Sequence, residues 1–194
     1  FGANSIKKLV GTTLADFVLQ NVTSNLGCVA PDSVVEFGGN LIFLGPDGIR
    51  PISGTDRIGD IELAPLSKEI QGTFDGYYQS EQVEDVSIVV IRRKSQFRLF
   101  FKDTASLSLI GAVRKGQGNQ GALEYSQLTG ITANCVSSGF IGQYEFVIHG
   151  DATGKVHRQE RGISFAGENI FSLYQTPYYY MEDPEVRKNV YDIH

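Results

Sequence analysis

Tryptophan is absent from the 194 residues of this chain, and methionine, cysteine and proline are scarce, with one, two and six residues. The two cysteines, Cys28 and Cys135, lie far apart in apolar contexts, so the sequence predicts buried free thiols and no disulfide framework. Reduced thiols agree with assembly in a reducing cytoplasm. No apolar run approaches the roughly 20 residues of a membrane-spanning helix, so we expect no membrane insertion.

Positively charged residues are also fewer than negatively charged ones. The chain has 17 lysines and arginines against 22 aspartates and glutamates, which gives a net charge of −5. A broad basic face for wrapping nucleic acid is therefore not expected. The one concentrated basic run is Arg92-Arg93-Lys94. We interpret it as the solvated end of a strand, with phosphate contact as the alternative.

Neither end of the sequence looks like a natural chain terminus. The first residues, FGANSIKKLVG, have no initiator methionine and no charged-then-apolar signal peptide, and the last residues, NVYDIH, stop inside an alternating pattern. We therefore expect an incomplete part of a larger chain. With 41% hydrophobic and 20% charged residues, that part is expected to be globular.

Glycine is abundant, with 22 residues, and it separates short apolar runs. Residues 28–54 are the clearest example. An apolar run over 34–37 ends at a Gly-Gly-Asn break, a second run covers 41–44, and a third follows a Pro-Asp-Gly turn at 49–52. Short apolar runs joined by glycine-rich turns predict antiparallel β-hairpins.

The same pattern returns twice, at 96–110 and at 144–158. The turn aspartates Asp47, Asp103 and Asp151 lie 56 and 48 residues apart. A spacing of about 40 to 50 residues is typical of propeller blades. The sequence thus predicts an all-β fold of propeller-like blades, each an antiparallel meander; a β-sandwich with coincidental hairpins is the alternative.

Four further elements are expected from local patterns. They are a strand over 15–22, a short helix near 63–74, a strand over 86–91 and a final hairpin within 162–174. Apolar residues at every fourth position indicate the helix, and β-branched residues indicate the strand over 86–91. The helix would be an insertion between blades.

The chain divides into three parts on this basis. They are a lead-in strand segment (1–30), a propeller-like β domain (31–174) and a Tyr-rich segment that begins a following strand (175–194). Three adjacent tyrosines in the last part cannot all enter one core, because alternate side chains of a strand point to opposite faces. We expect these tyrosines at a subunit or domain interface. They are Tyr178, Tyr179 and Tyr180.

One glycine-rich motif, Gly116–Gly121, has the G-x-G-x-x-G spacing of dinucleotide-binding loops. That chemistry needs a helix directly after the loop, because the backbone N–H groups at the start of the helix hold the pyrophosphate. Residues 122–130 are a poor helix candidate. We therefore interpret the motif as an exposed polar loop and predict no cofactor.

Histidines and aspartates near the turns are the other candidates for chemistry. His149 and His157 flank one turn and could meet across it, but no third ligand stands at metal-binding spacing, so polar strand positions are the preferred interpretation. The aspartates Asp47, Asp103 and Asp151 could form the carboxylate pair of a glycosidase. Aspartate is also common in turns because its carboxylate accepts bonds from backbone N–H groups, and we adopt that interpretation. We predict no catalytic and no metal-binding residue.

Two stretches together resemble a known family. The segment GCVAPDSVVEFGGNLIFLGPDGIRPISGTDRIGD and the later GISFAGENIFSLYQTPYYYMEDPEVRK are similar to the tail nozzle proteins of short-tailed bacteriophages, the tail tubular protein B and phage stabilisation protein group. The similarity covers residues 28–60 and 162–188 best. It implies a non-enzymatic virion protein of the tail, assembled in the host cytoplasm, with a β-propeller and no active site.

The resemblance also implies the partners. Copies of the chain would form a ring, a homohexamer, below the tail adaptor ring protein. The ring would carry tail fibres or spikes, and genomic DNA would pass through its channel. Two alternatives remain open, namely a propeller glycosidase or depolymerase of host polysaccharide, and a monomeric propeller that acts as an interaction module.

Overall fold

The computed structural model describes residues 1–55, 66–79, 85–102, 108–114, 122–165 and 167–172. These ranges form an all-β fold, as the sequence predicts, with two short helices, only one of which was expected. The strands are β1 (Ile6–Val10), β2 (Val18–Thr23), β3 (Val35–Phe37), β4 (Asn40–Gly45), β5 (Gly48–Pro51), β6 (Val86–Ile91), β7 (Gln96–Phe101), β8 (Ser108–Arg114), β9 (Ala122–Leu128), β10 (Cys135–Ile141), β11 (Tyr144–Gly150), β12 (Val156–Arg158), β13 (Ser164–Phe165) and β14 (Glu168–Asn169). The helices are α1 (Ile52–Thr55) and α2 (Gln71–Gln79).

Every sheet is antiparallel and joins strands that are consecutive in the chain. The orders are β1-β2, β3-β4-β5, β6-β7-β8-β9, β10-β11-β12 and β13-β14. In the described ranges none of these sheets closes on itself. The architecture is thus a series of meanders, the motif expected from the repeated hairpins.

The hairpin unit predicted at 28–54 is the sheet β3-β4-β5. Its first turn has Gly38 at φ 62° and Gly39 at φ 76°. Two successive positive φ angles are the requirement of a tight turn between twisted strands, and glycine adopts them without strain. The later units contribute β7 and β8, and β11 and β12, to their sheets; residues 103–107 between β7 and β8 lie outside the described ranges.

Several boundaries differ from the sequence-based expectation. The helix expected near 63–74 begins later, with a 3-10 turn at Lys68–Ile70 that leads into α2; residues 63–65 lie outside the described ranges. The strand expected over 15–22 is β2, which starts at Val18 because Asp16 belongs to the preceding turn. No helix in the described part of the chain is long and apolar enough to cross a membrane.

The two cysteines have different environments. Cys28 is buried, as predicted, and its Sγ lies 3.0 Å from the carbonyl oxygen of Ala30. The prediction of a buried thiol is wrong for Cys135, which is exposed at the start of β10. Its strand partner is Gly150, so no opposing side chain covers the sulfur.

The core lies on both sides of β6 and β7. One face of these strands packs against the sheet β3-β4-β5 and α2, and the other face packs against the sheet β10-β11-β12. Among the strands, β3 and β10, the first strands of their sheets, are neighbours of β6, the first strand of the central sheet. The hydroxyl of Ser138 on β10 donates a 2.7 Å hydrogen bond to the carbonyl oxygen of Val90 on β6. Three successive sheets therefore stack face to face.

A glycine in β8 is required by this packing. Gly111 pairs with Phe97 of β7, whose ring is fully buried, and a Cβ at position 111 would lie 2.3 Å from Cζ of that ring. We expect Gly111→Ala to lower the free energy of unfolding by about 1–3 kcal/mol, because the ring has to leave its place in a filled core. Urea unfolding followed by circular dichroism measures the change.

The matched control is Gly139→Ala in the middle of β10, where an added Cβ meets nothing within 4 Å. This substitution should change the free energy of unfolding by no more than about 0.5 kcal/mol or increase it slightly. Equal effects of the two substitutions would contradict the account of Gly111.

Candidate functional site

A buried arginine links the central sheet to the sheet β10-β11-β12. Arg98 lies on β7 and is 6% exposed, although the strand around it is apolar. Its NH1 donates to Oε1 of Gln159 at 2.8 Å, and its NH2 forms an ion pair with Glu160. Glu160 also pairs with Lys94. Both faces of β7 are buried, so these partners are what makes a guanidinium group tolerable at this place.

Two histidines continue the network on the other side of Gln159. His149 of β11 and His157 of β12 are direct cross-strand partners, and their rings stack with centroids 5.0 Å apart and an interplanar angle of 22°. Nδ1 of His149 lies 3.2 Å from Nε2 of Gln159, and Nε2 of His157 lies 2.8 Å from Oδ2 of Asp151. The prediction of polar strand positions is confirmed, and the two imidazoles also meet across the hairpin.

The donors of this network fix its protonation. Arginine only donates, so the amide oxygen of Gln159 faces Arg98 and its amide nitrogen faces His149. Nδ1 of His149 must then accept, which requires a neutral ring with its proton on Nε2. Burial lowers the pKa of His149, the charge of His157 lowers it further, and the carboxylate of Asp151 opposes both effects.

Of the turn aspartates, Asp151 has the turn-capping role expected of it. Asp151 caps its own turn, because Oδ1 accepts from the backbone N–H groups of Thr153 at 2.8 Å and Lys155 at 2.9 Å. The hydrogen bond from His157 and these N–H groups hold the pKa of Asp151 well below its ordinary value. Asp47 instead forms an ion pair with Arg50 across its turn. Asp103 lies outside the described residues.

A charged cleft of about 370 Å³ opens beside the network. Its wall includes Glu145, which accepts backbone hydrogen bonds from Arg92 at 2.8 Å and Arg93 at 3.0 Å. Residues 92–94, expected at a strand end, form a 3-10 turn directly after β6, and all three are exposed. The lining residues are Ile91, Arg93, Lys94, Tyr144, Glu145, Val147, Arg158, Gln159, Glu160 and Arg161.

The second candidate is a hairpin that we call the arm, residues 6–23, formed by β1 and β2. Ile6 at its base is buried, but most of its other apolar side chains are exposed, on both faces of the hairpin, although a hairpin normally packs at least one face against a core. At the tip, Leu14 is 94% exposed. The exposed apolar residues of the arm are Leu9, Val10, Leu14, Phe17, Val18 and Leu19.

Local hydrogen bonds hold the tip of the arm. Oδ1 of Asp16 accepts from the backbone N–H of Thr13 at 2.6 Å and of Thr12 at 3.1 Å, and both threonine hydroxyls donate to the same carboxylate. These bonds, led by that from the Thr13 backbone, lower the pKa of Asp16 to about 2. Gly11 turns the chain at φ 147°. Local bonds therefore give the exposed tip a defined shape.

Some predicted site residues cannot be placed. The interface tyrosines Tyr178, Tyr179 and Tyr180 and the glycine-rich motif 116–121 lie outside the described residues. Within the described ranges, no group of three or more His, Cys, Asp and Glu residues could hold a metal ion. The Arg98 network is not predicted from the sequence; its one local signal is a single arginine inside the apolar strand sequence QFRLFF.

No protein family model matches the chain. No curated protein is significantly similar to it. The arm and the charged cleft have to be interpreted from their own chemistry.

The His149 environment makes stability depend on pH. Its pKa is below the ordinary value of 6.5 in the folded chain. As the pH falls below that value, the unfolded chain binds a proton that the folded chain resists, so the free energy of unfolding decreases until the folded pKa is passed. We expect lower stability at about pH 5 than at about pH 8. Urea unfolding at the two pH values measures this difference in the free energy of unfolding.

His149→Gln provides the comparison, because glutamine cannot titrate and its amide oxygen can accept from Gln159. The loss of stability between the two pH values should be smaller in this variant than in the native chain. An unchanged loss would assign the effect to other groups.

Proposed function

We propose that this chain is a structural subunit of the tail nozzle of a short-tailed bacteriophage and has no catalytic role. Copies of it would assemble into a ring, a homohexamer in this proposal, around the channel through which DNA leaves. The ring would bind the tail adaptor above and fibres or spikes at its side. The similarity of residues 28–60 and 162–188 to that family motivates the proposal, and two structural observations support it.

The stacked sheets support the propeller part of the proposal. Successive blades of a propeller are antiparallel meanders that pack face to face, with the first strand of each blade nearest to the axis. Here three consecutive meanders stack in chain order, and their first strands β3, β6 and β10 are neighbours. The central sheet has the four strands of a complete blade.

The arm is the main structural support for the proposal that copies of the chain assemble. An ordered hairpin with apolar residues on both faces has a stabilising role only when another surface covers it, because exposed apolar area costs about 25 cal/mol per Å² relative to burial. The outer face of β10-β11-β12 is also apolar in part. Its exposed apolar residues include Ile141, Tyr144, Ile148 and Val156. Such surfaces fit a subunit with extensive neighbours.

The depolymerase alternative has less support from the charged cleft. A glycosidase needs a carboxylic acid with a raised pKa and a second, ionised carboxylate. Burial alone would raise the pKa of Glu160, but hydrogen bonds from Lys94 and Arg98 lower it overall. Glu145 is engaged by two backbone N–H groups. Neither carboxylate is arranged as a general acid.

Negative-stain electron microscopy and mass photometry of the full-length protein, alone and with the tail adaptor, test the function. The proposal expects closed rings of a single size, formed by the chain itself or on the adaptor. A monomer that stays separate from the adaptor and binds or cleaves polysaccharide would support the alternatives and exclude the nozzle.

The arm can be tested separately with Leu14→Asp. A charge at the tip should prevent its burial against a neighbour, so ring formation should decrease by at least about tenfold while the melting temperature of the isolated chain stays unchanged. Mass photometry over a dilution series measures the ring fraction.

Ile163→Asp is the matched control, because Ile163 is also 94% exposed but lies outside the arm. The Ile163→Asp variant should form rings to the same extent as the native chain. Equal loss in both variants would show that assembly depends on general surface apolarity, and the role assigned to the arm would be wrong.

A further inference from the structure

The charged cleft lies where the sheet β10-β11-β12 loses its third strand. β12 ends at Arg158, and Gln159 still donates a backbone hydrogen bond to Val147 of β11 at 2.8 Å. Glu160 then turns the chain away in a left-handed conformation, at φ 62°. For a residue other than glycine this conformation costs about 1 kcal/mol or more, and it persists only where the surroundings hold it. The ion pairs with Arg98 and Lys94 do so here.

The cleft has an excess of positive charge in a chain whose net charge is −5. Four cations and two carboxylates line it. Glu160 is engaged by Lys94 and Arg98, and Glu145 accepts backbone N–H groups. The remaining cations of the cleft have no carboxylate partner among the described residues. They are Arg93, Arg158 and Arg161.

An aromatic ring lies against the guanidinium group of Arg158. Its guanidinium carbon lies 3.9 Å from the centre of the Phe146 ring. A cation–π contact of this kind uses the face of the guanidinium group and none of its N–H donors, which can still bind an anion. A planar fork of donors matches the two oxygens of a carboxylate or phosphate group.

We propose that the cleft binds an oxyanion, a carboxylate or phosphate group, on the N–H donors of Arg158 with Arg93 and Arg161 as supporting cations. The volume of about 370 Å³ exceeds that of a single ion and is in the range of small-ligand sites. Ile91 and Val147 provide an apolar part of the wall. The anionic group is therefore carried on a small organic body or on a side chain.

Two sources can present this chemistry, a free small anion and an acidic side chain of a second copy of the chain. The cleft lies within one chain, so it can bind an oxyanion whether or not the chain is part of a tail nozzle. The two sources differ in their response to protein concentration, which the experiment uses.

Isothermal titration of the full-length protein with pyrophosphate and with citrate, at low ionic strength, tests the proposal. We expect saturable binding of about one anion per chain, with a Kd between micromolar and low millimolar. Arg158→Gln should weaken binding by at least about tenfold, because it removes charge-assisted hydrogen bonds. Arg93→Gln serves as the second variant if the first does not fold.

Two further variants separate a built site from general charge attraction. Arg92→Gln removes the same charge from the neighbouring residue, whose side chain lines a different cavity, and should leave the affinity unchanged. Phe146→Leu keeps every charge but removes the stacking surface, so it should weaken binding several-fold. Equal losses in Arg92→Gln and Arg158→Gln, or no saturable binding of either probe, would overturn the proposal.

Sedimentation over a range of protein concentrations identifies the source. If self-association weakens in Arg158→Gln and is inhibited by pyrophosphate in the native chain, the natural occupant is an acidic side chain of a second copy. If self-association is unaffected while the titration shows binding, the occupant is a free anion. Both results support an oxyanion site.

Discussion

Burial of β6 and β7 on both faces is the constraint on which the rest of the structure depends. All six residues of β6 are buried, and so are five of the six residues of β7. An antiparallel sheet more often has one solvated face. Here the second face needs a cover, and the neighbouring sheets supply it from either side. Three sheets stack because neither β6 nor β7 has a polar face that could be left in water.

The same constraint explains the polar network. Arg98 lies on β7, on the face that packs against the sheet β10-β11-β12, and it is only 6% exposed. An unpaired guanidinium in that place would cost several kcal/mol, so Gln159 and Glu160 are brought in from the end of β12. Their position draws the chain into the left-handed turn at Glu160. The charged cleft is thus a consequence of how one buried arginine is satisfied.

Local features could be predicted from the sequence, and distant partners could not. Glycine pairs and β-branched runs fix strands and turns within a few residues, so the runs at 34–37, 41–44, 49–52 and 86–91 match β3 to β6 to within one residue at each end. The continuous apolar sequence of β6, VSIVVI, already indicates burial on both faces. The contacts of Arg98 lie 61 and 62 residues away. No local pattern specifies such a separation, so the network and the cleft could not be derived from the sequence.

The arm and the cleft together imply how a copy of this chain would meet its neighbours. A chain with a net charge of −5 repels its own copies at long range, so attraction has to come from contact. The arm offers apolar contact, and local hydrogen bonds to Asp16 set its shape before any partner arrives. Little conformational entropy is then lost on docking, which favours association. Arg93, Arg158 and Arg161, which have no carboxylate partner in the described part of the chain, are where an acidic group of a neighbour would reduce that repulsion. In an assembly of copies, apolar contact and local charge reversal would thus act against the same long-range repulsion.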